Sequence, residues 1–381
     1  NRIKSSQSEL GDDDSLILGD GNHIVIAGAG SDTVTTGLGD NDIIGDTGSI
    51  DYVSETYTAT EAGRGDDIIT TGAGDQQILA GSGSDSITLS DGNSHILGDA
   101  GEFQYNGSTL ETAVSNSTDS GDHSSEADTV TAGDGDHIVL TGAGSDTITL
   151  GNGNSDVVAD NGTLDYVNQR YVADASITGY QYDENKPNQY DDVITAGVGD
   201  HRILSGDGAD KITLGAGNND IIADTGVIDD IALTVTGDAA GSGDDVISLQ
   251  DGDNRIFAGS GDDIITVGNG DQDIIADTGS IDYAAETYTS TENGRGDDTI
   301  IAGAGDQQVL AGLGSDSITL GDGSSNVLGD SGELQYNGGE LESAQSNTTD
   351  SSDHTSEADT IIIGDGDHIV LTGAGSDTIT L

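Results

Sequence analysis

The chain repeats itself every nine residues, and that period restricts its fold more than any other property. An aliphatic residue marks each repeat, in groups of four: Leu16, Val25, Val34 and Ile43, then Ile69, Ile78, Ile87 and Ile96, then Val130, Val139, Ile148 and Val157. The series continues through Ile194, Ile203, Ile212 and Ile221, Ile247, Ile256, Ile265 and Ile274, Ile300, Val309, Ile318 and Val327, to Ile361, Val370 and Ile379. A period of nine fits neither a heptad nor a 3.6-residue stripe, and glycine at two of nine positions would cripple a helix. A short β-branched strand followed by a tight glycine turn fits both. If each strand takes one side of a flattened coil, two nonapeptides make one turn, and successive turns stack as parallel strands about 4.8 Å apart.

The expected fold is therefore all-β: a parallel β-roll or β-helix solenoid of nonapeptides in groups of four, with loop inserts between groups. The groups fall at about 11–48, 65–101, 126–162, 190–226, 243–279, 296–332 and 357–381, and one continuous, rod-like solenoid over 1–381 is expected. A longer period of 231 residues overlies the short one, because 50–150 recurs at 281–381. The chain holds less than two such units, so a longer parent is expected.

Composition narrows the function. Of 381 residues, 71 are Asp or Glu and 9 are Lys or Arg, a formal charge of −62. Nucleic acid and anionic membrane surfaces are poor partners for such a chain, and no apolar run approaches the roughly 20 residues of a membrane span. Aspartate outnumbers glutamate 58 to 13; with glycine it marks turns and oxygen-rich cation sites, not solvated helices. Without cysteine there are neither disulfides nor thiolate metal sites.

Ten repeats carry two glycines, an aspartate and the aliphatic residue at fixed spacing, as in Gly142, Gly144, Asp146 and Ile148, or Gly81, Gly83, Asp85 and Ile87. This G-x-G-x-D-x-U-x pattern, with U aliphatic, resembles the hemolysin-type calcium-binding repeat, the RTX nonapeptide, as found in large secreted bacterial adhesins. The resemblance implies a parallel β-roll whose turns bind Ca²⁺ between layers, in a protein exported to the extracellular space or cell surface.

The first and third repeats of each group place Asp two residues before the aliphatic position. The pairs are Asp14 and Asp32, Asp67 and Asp85, Asp128 and Asp146, Asp192 and Asp210, Asp245 and Asp263, Asp298 and Asp316, and Asp359 and Asp377. Members of a pair are 18 residues apart, one full turn, so both carboxylates leave the same edge in adjacent layers. Two hard oxygens with nearby turn carbonyls suit Ca²⁺. Each group closes in an Asp-x-Gly turn on that edge, which adds Asp46, Asp99, Asp160, Asp224, Asp277 and Asp330 as further ligands. The opposite edge carries neutral polar residues, among them His23, Asn41, Gln76, Ser94, His137, His201, Asn219, Asn254, Gln272 and Gln307, which predicts hydrogen-bonded ladders and one-sided calcium; Asp75, Asp136, Asp200 and Asp306 leave a weaker second set open there. One buried aliphatic per nine ordered residues is thin compensation for chain entropy and charge repulsion, so folding and calcium binding should be one event.

The inserts run 49–64, 102–125, 163–189, 227–242, 280–295 and 333–356, and all eleven tyrosines lie in them or at Tyr190. Alternation such as that of 50–60 reads as an extra strand or a broadened turn. The tyrosines either cap apolar edges of the roll or make lateral contacts with another copy or with glycans. Tyr52, Tyr57, Tyr105, Tyr166, Tyr171, Tyr180 and Tyr182 are the candidates. The tripeptide Arg64-Gly65-Asp66 is explained by repeat geometry, with Arg64 paired to surrounding acids; His123 and His354 sit in Ser-rich loops without a nucleophile motif. No catalytic constellation stands out, and the chain is read as a non-enzymatic, calcium-stabilised structural region of an extracellular filament, matrix protein or adhesin that self-associates. The alternatives are the repeat region of a secreted toxin or hydrolase, or a glycan- or ice-binding module.

Overall fold

The computed structural model describes residues 2–5, 11–115, 126–173, 190–237, 243–346 and 358–381. They contain strands and turns and no helix. The chain forms two compact units, 1–199 and 200–381.

In the first unit the first and third repeats of each group supply one parallel sheet. Its strands include Thr33–Thr35, Ile68–Thr70, Ser86–Thr88, Thr129–Ala132 and Thr147–Leu150. The second and fourth repeats supply another, with Asp42–Ile44, Gln77–Leu79, His95–Leu97, His137–Leu140 and Ser155–Val158. Pairing is in register on the aliphatic position: Val34 opposite Ile69, Ile69 opposite Ile87, Ile87 opposite Val130. The second unit repeats the scheme, with Ile247 opposite Ile265 and Ile256 opposite Ile274. All marker residues except Leu16, Val370 and Ile379 are buried between the two sheets.

Glycine sets the layer spacing. Gly83 has φ 144°, and a Cβ there would stand 1.9 Å from the carbonyl oxygen of Gly65 in the adjoining layer. Only a residue without a side chain allows that approach.

The inserts depart from the expected loops. Their described parts are β-hairpins, such as Gly48–Asp51 with Thr56–Ala59 and Gly101–Asn106 with Thr109–Ser115. Neighbouring hairpins pair in turn, Phe103 opposite Tyr57 and Ala113 opposite Leu164, into a third, antiparallel sheet. The same happens in the second unit, where Tyr288 faces Leu334. This sheet lies on the outer face of the second parallel sheet. A Cβ on Gly48 would touch the side chain of Ile44 at 3.0 Å, and one on Gly101 would touch Leu97 at 3.2 Å. Consecutive residues of the second sheet, such as Ile43 and Ile44 or Ile96 and Leu97, are consequently both fully buried. One faces the roll interior and the other the hairpins, the double burial that removes polar alternation from a strand.

Diverting each insert into a hairpin lets the chain re-enter the roll in register. Sequence steps of 35 residues (Thr33 to Ile68) and 43 residues (Ser86 to Thr129) produce the same parallel pairing as the 18-residue step within a group.

Candidate metal centre

The repeat aspartates enter the first parallel sheet from its turn edge, and the stacking of layers places each above the next. Each backbone N–H donates to the Oδ1 of the aspartate in the adjoining layer. In the first unit the ladder runs Asp14, Asp32, Asp67, Asp85, Asp128, Asp146 and Asp192, with N···O distances of 2.6 to 2.8 Å. In the second it runs Asp210, Asp245, Asp263, Asp298, Asp316, Asp359 and Asp377, at 2.6 to 3.2 Å. Apart from Asp14 and Asp377, these residues are 1–2% exposed. One oxygen of each carboxylate from Asp32 to Asp192, and from Asp245 to Asp377, is thus spent on a peptide N–H.

The other oxygen is the notable one. Oδ2 of Asp32, Asp67, Asp85, Asp128, Asp146, Asp263, Asp298 and Asp316 is buried and has no hydrogen-bond partner. Buried polar atoms are nearly always paired, and a bare carboxylate oxygen costs several kcal/mol. Such oxygens recur at the same position in layer after layer.

The Asp-x-Gly aspartates join this row. Asp46, Asp99, Asp160, Asp224, Asp277 and Asp330 are all buried. In five of them Oδ2 accepts a turn N–H: Ser82 to Asp46 at 2.9 Å, Ala143 to Asp99 at 2.8 Å, Ser260 to Asp224 and Leu313 to Asp277 at 2.6 Å, and Ala374 to Asp330. Oδ1 of Asp46, Asp99 and Asp277 has no partner.

Burial, and then the charges of Asp67 and Asp85, push the Asp46 carboxyl up to about 10. Asp277 rises to about 10 through burial and then Asp298. Burial likewise takes Asp67, Asp146 and Asp298 to about 7 and Asp316 to about 9. It raises Asp85, Asp99 and Asp128 well above the usual carboxylate range. Packed this closely without a countercharge, the carboxylates oppose the fold that assembles them.

Main-chain oxygens complete the surroundings. At Gly45 the missing Cβ leaves a space reached by Asp67 Oδ2, 2.2 Å from the ideal Cβ position, and by the Ala80 carbonyl oxygen at 2.5 Å. At Gly98 the corresponding atoms are Asp128 Oδ2 at 1.9 Å and the Thr141 carbonyl at 2.8 Å. Among the described residues no three His, Asp or Glu side chains converge to hold an ion by themselves. A donor set of carboxylates completed by carbonyls, without nitrogen or sulfur, is the chemistry of a hard cation of calcium's size. The residues present fit that group.

The opposite edge is built differently. There the ladder is neutral: the N–H of His23 donates to Asn41 Oδ1 at 3.0 Å, that of Asn41 to Gln76 Oε1 at 3.2 Å, and that of Asn219 to Asn254 Oδ1 at 3.0 Å. The Nε2 atoms of His23, His137 and His368 lie 2.9 to 3.0 Å from the carbonyls of Gly19, Gly133 and Gly364, as structural histidines do. Asp75, Asp136 and Asp306 are exposed there and belong to side-chain to backbone ladders of their own.

One feature was not expected from sequence. Glu126, 1% exposed, stands where other repeats have the second glycine, and pairs with Arg64 at 2.8 Å. The replaced glycine was its signal. Of the two places open to the tyrosines, edge packing and lateral contact, these described ones pack inward against the second sheet: Tyr57 donates to Asp42 at 3.2 Å, Tyr166 to Asp156 at 2.7 Å, and Tyr283 to Asp273 at 2.8 Å. Tyr105 and Tyr171 are buried, whereas Tyr52 is 40% exposed. Tyr180, Tyr182, His123 and His354 lie outside the described residues.

No helix among the described residues is long and apolar enough to cross a membrane. No curated protein and no solved structure matches the chain. The family model of the RTX calcium-binding nonapeptide repeat matches residues 19–49, 61–87, 79–102, 124–157, 188–226, 240–271 and 293–332. Those segments cover more than half of the sequence and contain most of the aspartate ladder, and on that ground the chain belongs to the RTX calcium-binding nonapeptide repeat family.

Proposed function

We propose that this chain is a calcium-locked structural region of a secreted filament, matrix protein or cell-surface adhesin. The observation that carries the reading is the row of buried, unpartnered carboxylate oxygens running through successive layers. Ca²⁺ would supply the positive charge and 6 to 8 oxygen contacts that such a row lacks. Its holders would be the fourteen ladder aspartates, with Asp46, Asp99, Asp160, Asp224, Asp277 and Asp330 beside them and turn carbonyls such as those of Ala80 and Thr141. The chain's own part is to preorganise: in twelve of the ladder aspartates Oδ1 is fixed by a peptide N–H, so Oδ2 has one orientation.

A mechanical role follows from how little else the repeats present. Their buried polar groups go to ladders, and the described parts of their inserts reinforce the roll as a third sheet. Export before folding suits a chain of charge −62, since carboxylate repulsion holds it open wherever calcium is scarce. Circular dichroism and electron microscopy with and without chelator test the reading. Loss of β-structure together with dissolution of filaments is expected; β-structure and assemblies that persist in EGTA would refute it.

A second reading has one observation in its favour. The outer face of the first parallel sheet carries Thr35, Thr70, Thr88, Thr131, Thr149 and Thr195 in direct register. Such a rank could meet an ordered lattice of ice or glycan, although Ile301 and Ile362 interrupt the equivalent rank of the second unit. Retention of the folded chain on ice or on a polysaccharide resin would separate the two.

A further inference from the structure

Each unit holds a cavity between its hairpin sheet and its second parallel sheet, and the two cavities are related by the 231-residue repeat. The larger, about 330 Å³, is walled by Tyr283, Tyr288 and Tyr336. The smaller, about 240 Å³, is walled by their counterparts Tyr52, Tyr57 and Tyr105. The rings meet edge to face. Tyr283 and Tyr288 are 6.1 Å apart at 80°, and Tyr288 and Tyr336 are 5.6 Å apart at 62°. In the other unit Tyr52 and Tyr57 are 6.5 Å apart at 79°, and Tyr57 and Tyr105 are 5.3 Å apart at 65°.

Three rings at steep mutual angles present π faces and edges to one space. The phenols are held by fixed partners that also line the cavity: Tyr283 and Tyr288 donate to Asp273 Oδ2 at 2.8 and 3.2 Å, and Tyr336 donates to Gln308. Four acidic residues, Asp271, Asp273, Glu286 and Asp306, line the larger cavity with the rings. No lysine or arginine lines either cavity among the described residues. Glu286 is held there by Gly339 N–H at 3.2 Å and Glu55 by Gly107 N–H at 2.6 Å. The Tyr283 ring already attracts a cation, with the Arg255 guanidinium 5.3 Å from its centroid.

We propose that each unit carries an organic-cation site, in which an alkylated ammonium head group sits among three tyrosine rings with a carboxylate at the rim. Aromatic cages bind such groups through the ring quadrupole, and the attraction grows as water is excluded. Charge separates the cation from the other aromatic-loving ligand: a neutral sugar can take only hydrogen bonds from Asp271, Glu286 and Asp306, a cation is drawn by their charge as well, and an acidic glycan is repelled by it.

The test uses the whole chain in calcium sufficient to fold it, with tetramethylammonium as probe, tert-butanol as neutral isostere, glucose as sugar and sodium as control cation, read by calorimetry. Saturable binding of tetramethylammonium at two sites per chain is expected, tighter at the site with more carboxylates. Tyr288→Leu should weaken that site by at least about tenfold. Glu286→Gln, which retains an acceptor for Gly339 N–H, should weaken it severalfold with circular dichroism unchanged, and so remains informative if Tyr288→Leu misfolds. Choline and a trimethyllysine peptide then distinguish a free solute from a protein-borne head group. Binding that sodium abolishes at equal concentration, equal or tighter binding of tert-butanol or glucose, or indifference to Glu286→Gln would overturn the proposal.

Discussion

Acid should fold this chain without calcium. The ladder and Asp-x-Gly carboxyls have folded-state values above the unfolded value of 3.8, because burial and neighbouring carboxylates disfavour their charge. A group shifted in that direction favours folding fully below its unfolded pKa. The contribution is lost as the pH rises toward the folded pKa. For Asp46 or Asp277, between 3.8 and pH 7, the loss is roughly three pH units at about 1.4 kcal/mol each, or about 4 kcal/mol per carboxyl. Two or three such groups equal the whole net stability of an ordinary domain, about 5–15 kcal/mol, and each unit contains more. In EDTA the chain should therefore be disordered at neutral pH and show β-type circular dichroism near pH 3.5, with sedimentation used to exclude aggregates. Asp277→Asn sharpens the test, since the amide oxygen still accepts Leu313 N–H while the carboxyl that must take up a proton on metal-free folding is gone. In EDTA at about pH 5 this variant should be stabilised by about 1–2 kcal/mol, and in calcium at neutral pH it should need more of the ion to fold. The reasoning fails if the metal-free chain is no more structured at pH 3.5 than at pH 7, or if Asp277→Asn is destabilising in both conditions.

Other consequences are more local. Gly83→Ala forces a Cβ into the Gly65 carbonyl at a φ of 144°; in saturating calcium it should lower stability by at least about 1 kcal/mol, seen as an earlier urea midpoint. Ile87→Ala empties a fully buried position between the sheets and should lose about 2–5 kcal/mol by the same assay. Glu126→Gln removes the buried partner of Arg64 and should lose about 1–3 kcal/mol, with Arg64→Met in the same chain recovering part of it. Asp85→Ala deletes both a ladder acceptor and an unpartnered Oδ2. It should raise the calcium concentration at half-folding severalfold, whereas Ser94→Ala on the opposite edge should move it little.

Much of the roll could be read directly. The marker residues are buried where the nine-residue period puts them, and aspartates 18 residues apart do stack, because both facts depend only on local turn geometry repeated without error. The inserts could not be read in that way. The contact of Tyr57 with Phe103, or of Thr56 with Gln104 across 48 residues, joins segments that share no period and meet only because the roll between them has wound through its turns. One trace of the third sheet was present in the chain: the aliphatic residue that follows the marker in second and fourth repeats, as in Ile43-Ile44 and Ile96-Leu97, where first and third repeats mostly have Thr or Ser.

Period, glycine spacing and the excess of aspartate thus determined a parallel, layered, cation-seeking fold, since each acts within one turn of the coil. Tertiary structure alone decided which oxygen of each carboxylate is spent on a peptide N–H and which is left bare. It also brought Asp46 beside Asp67 and Asp85 and closed three tyrosines around a cavity. Those outcomes depend on distances between layers and sheets, which exist only once remote segments have been brought against one another.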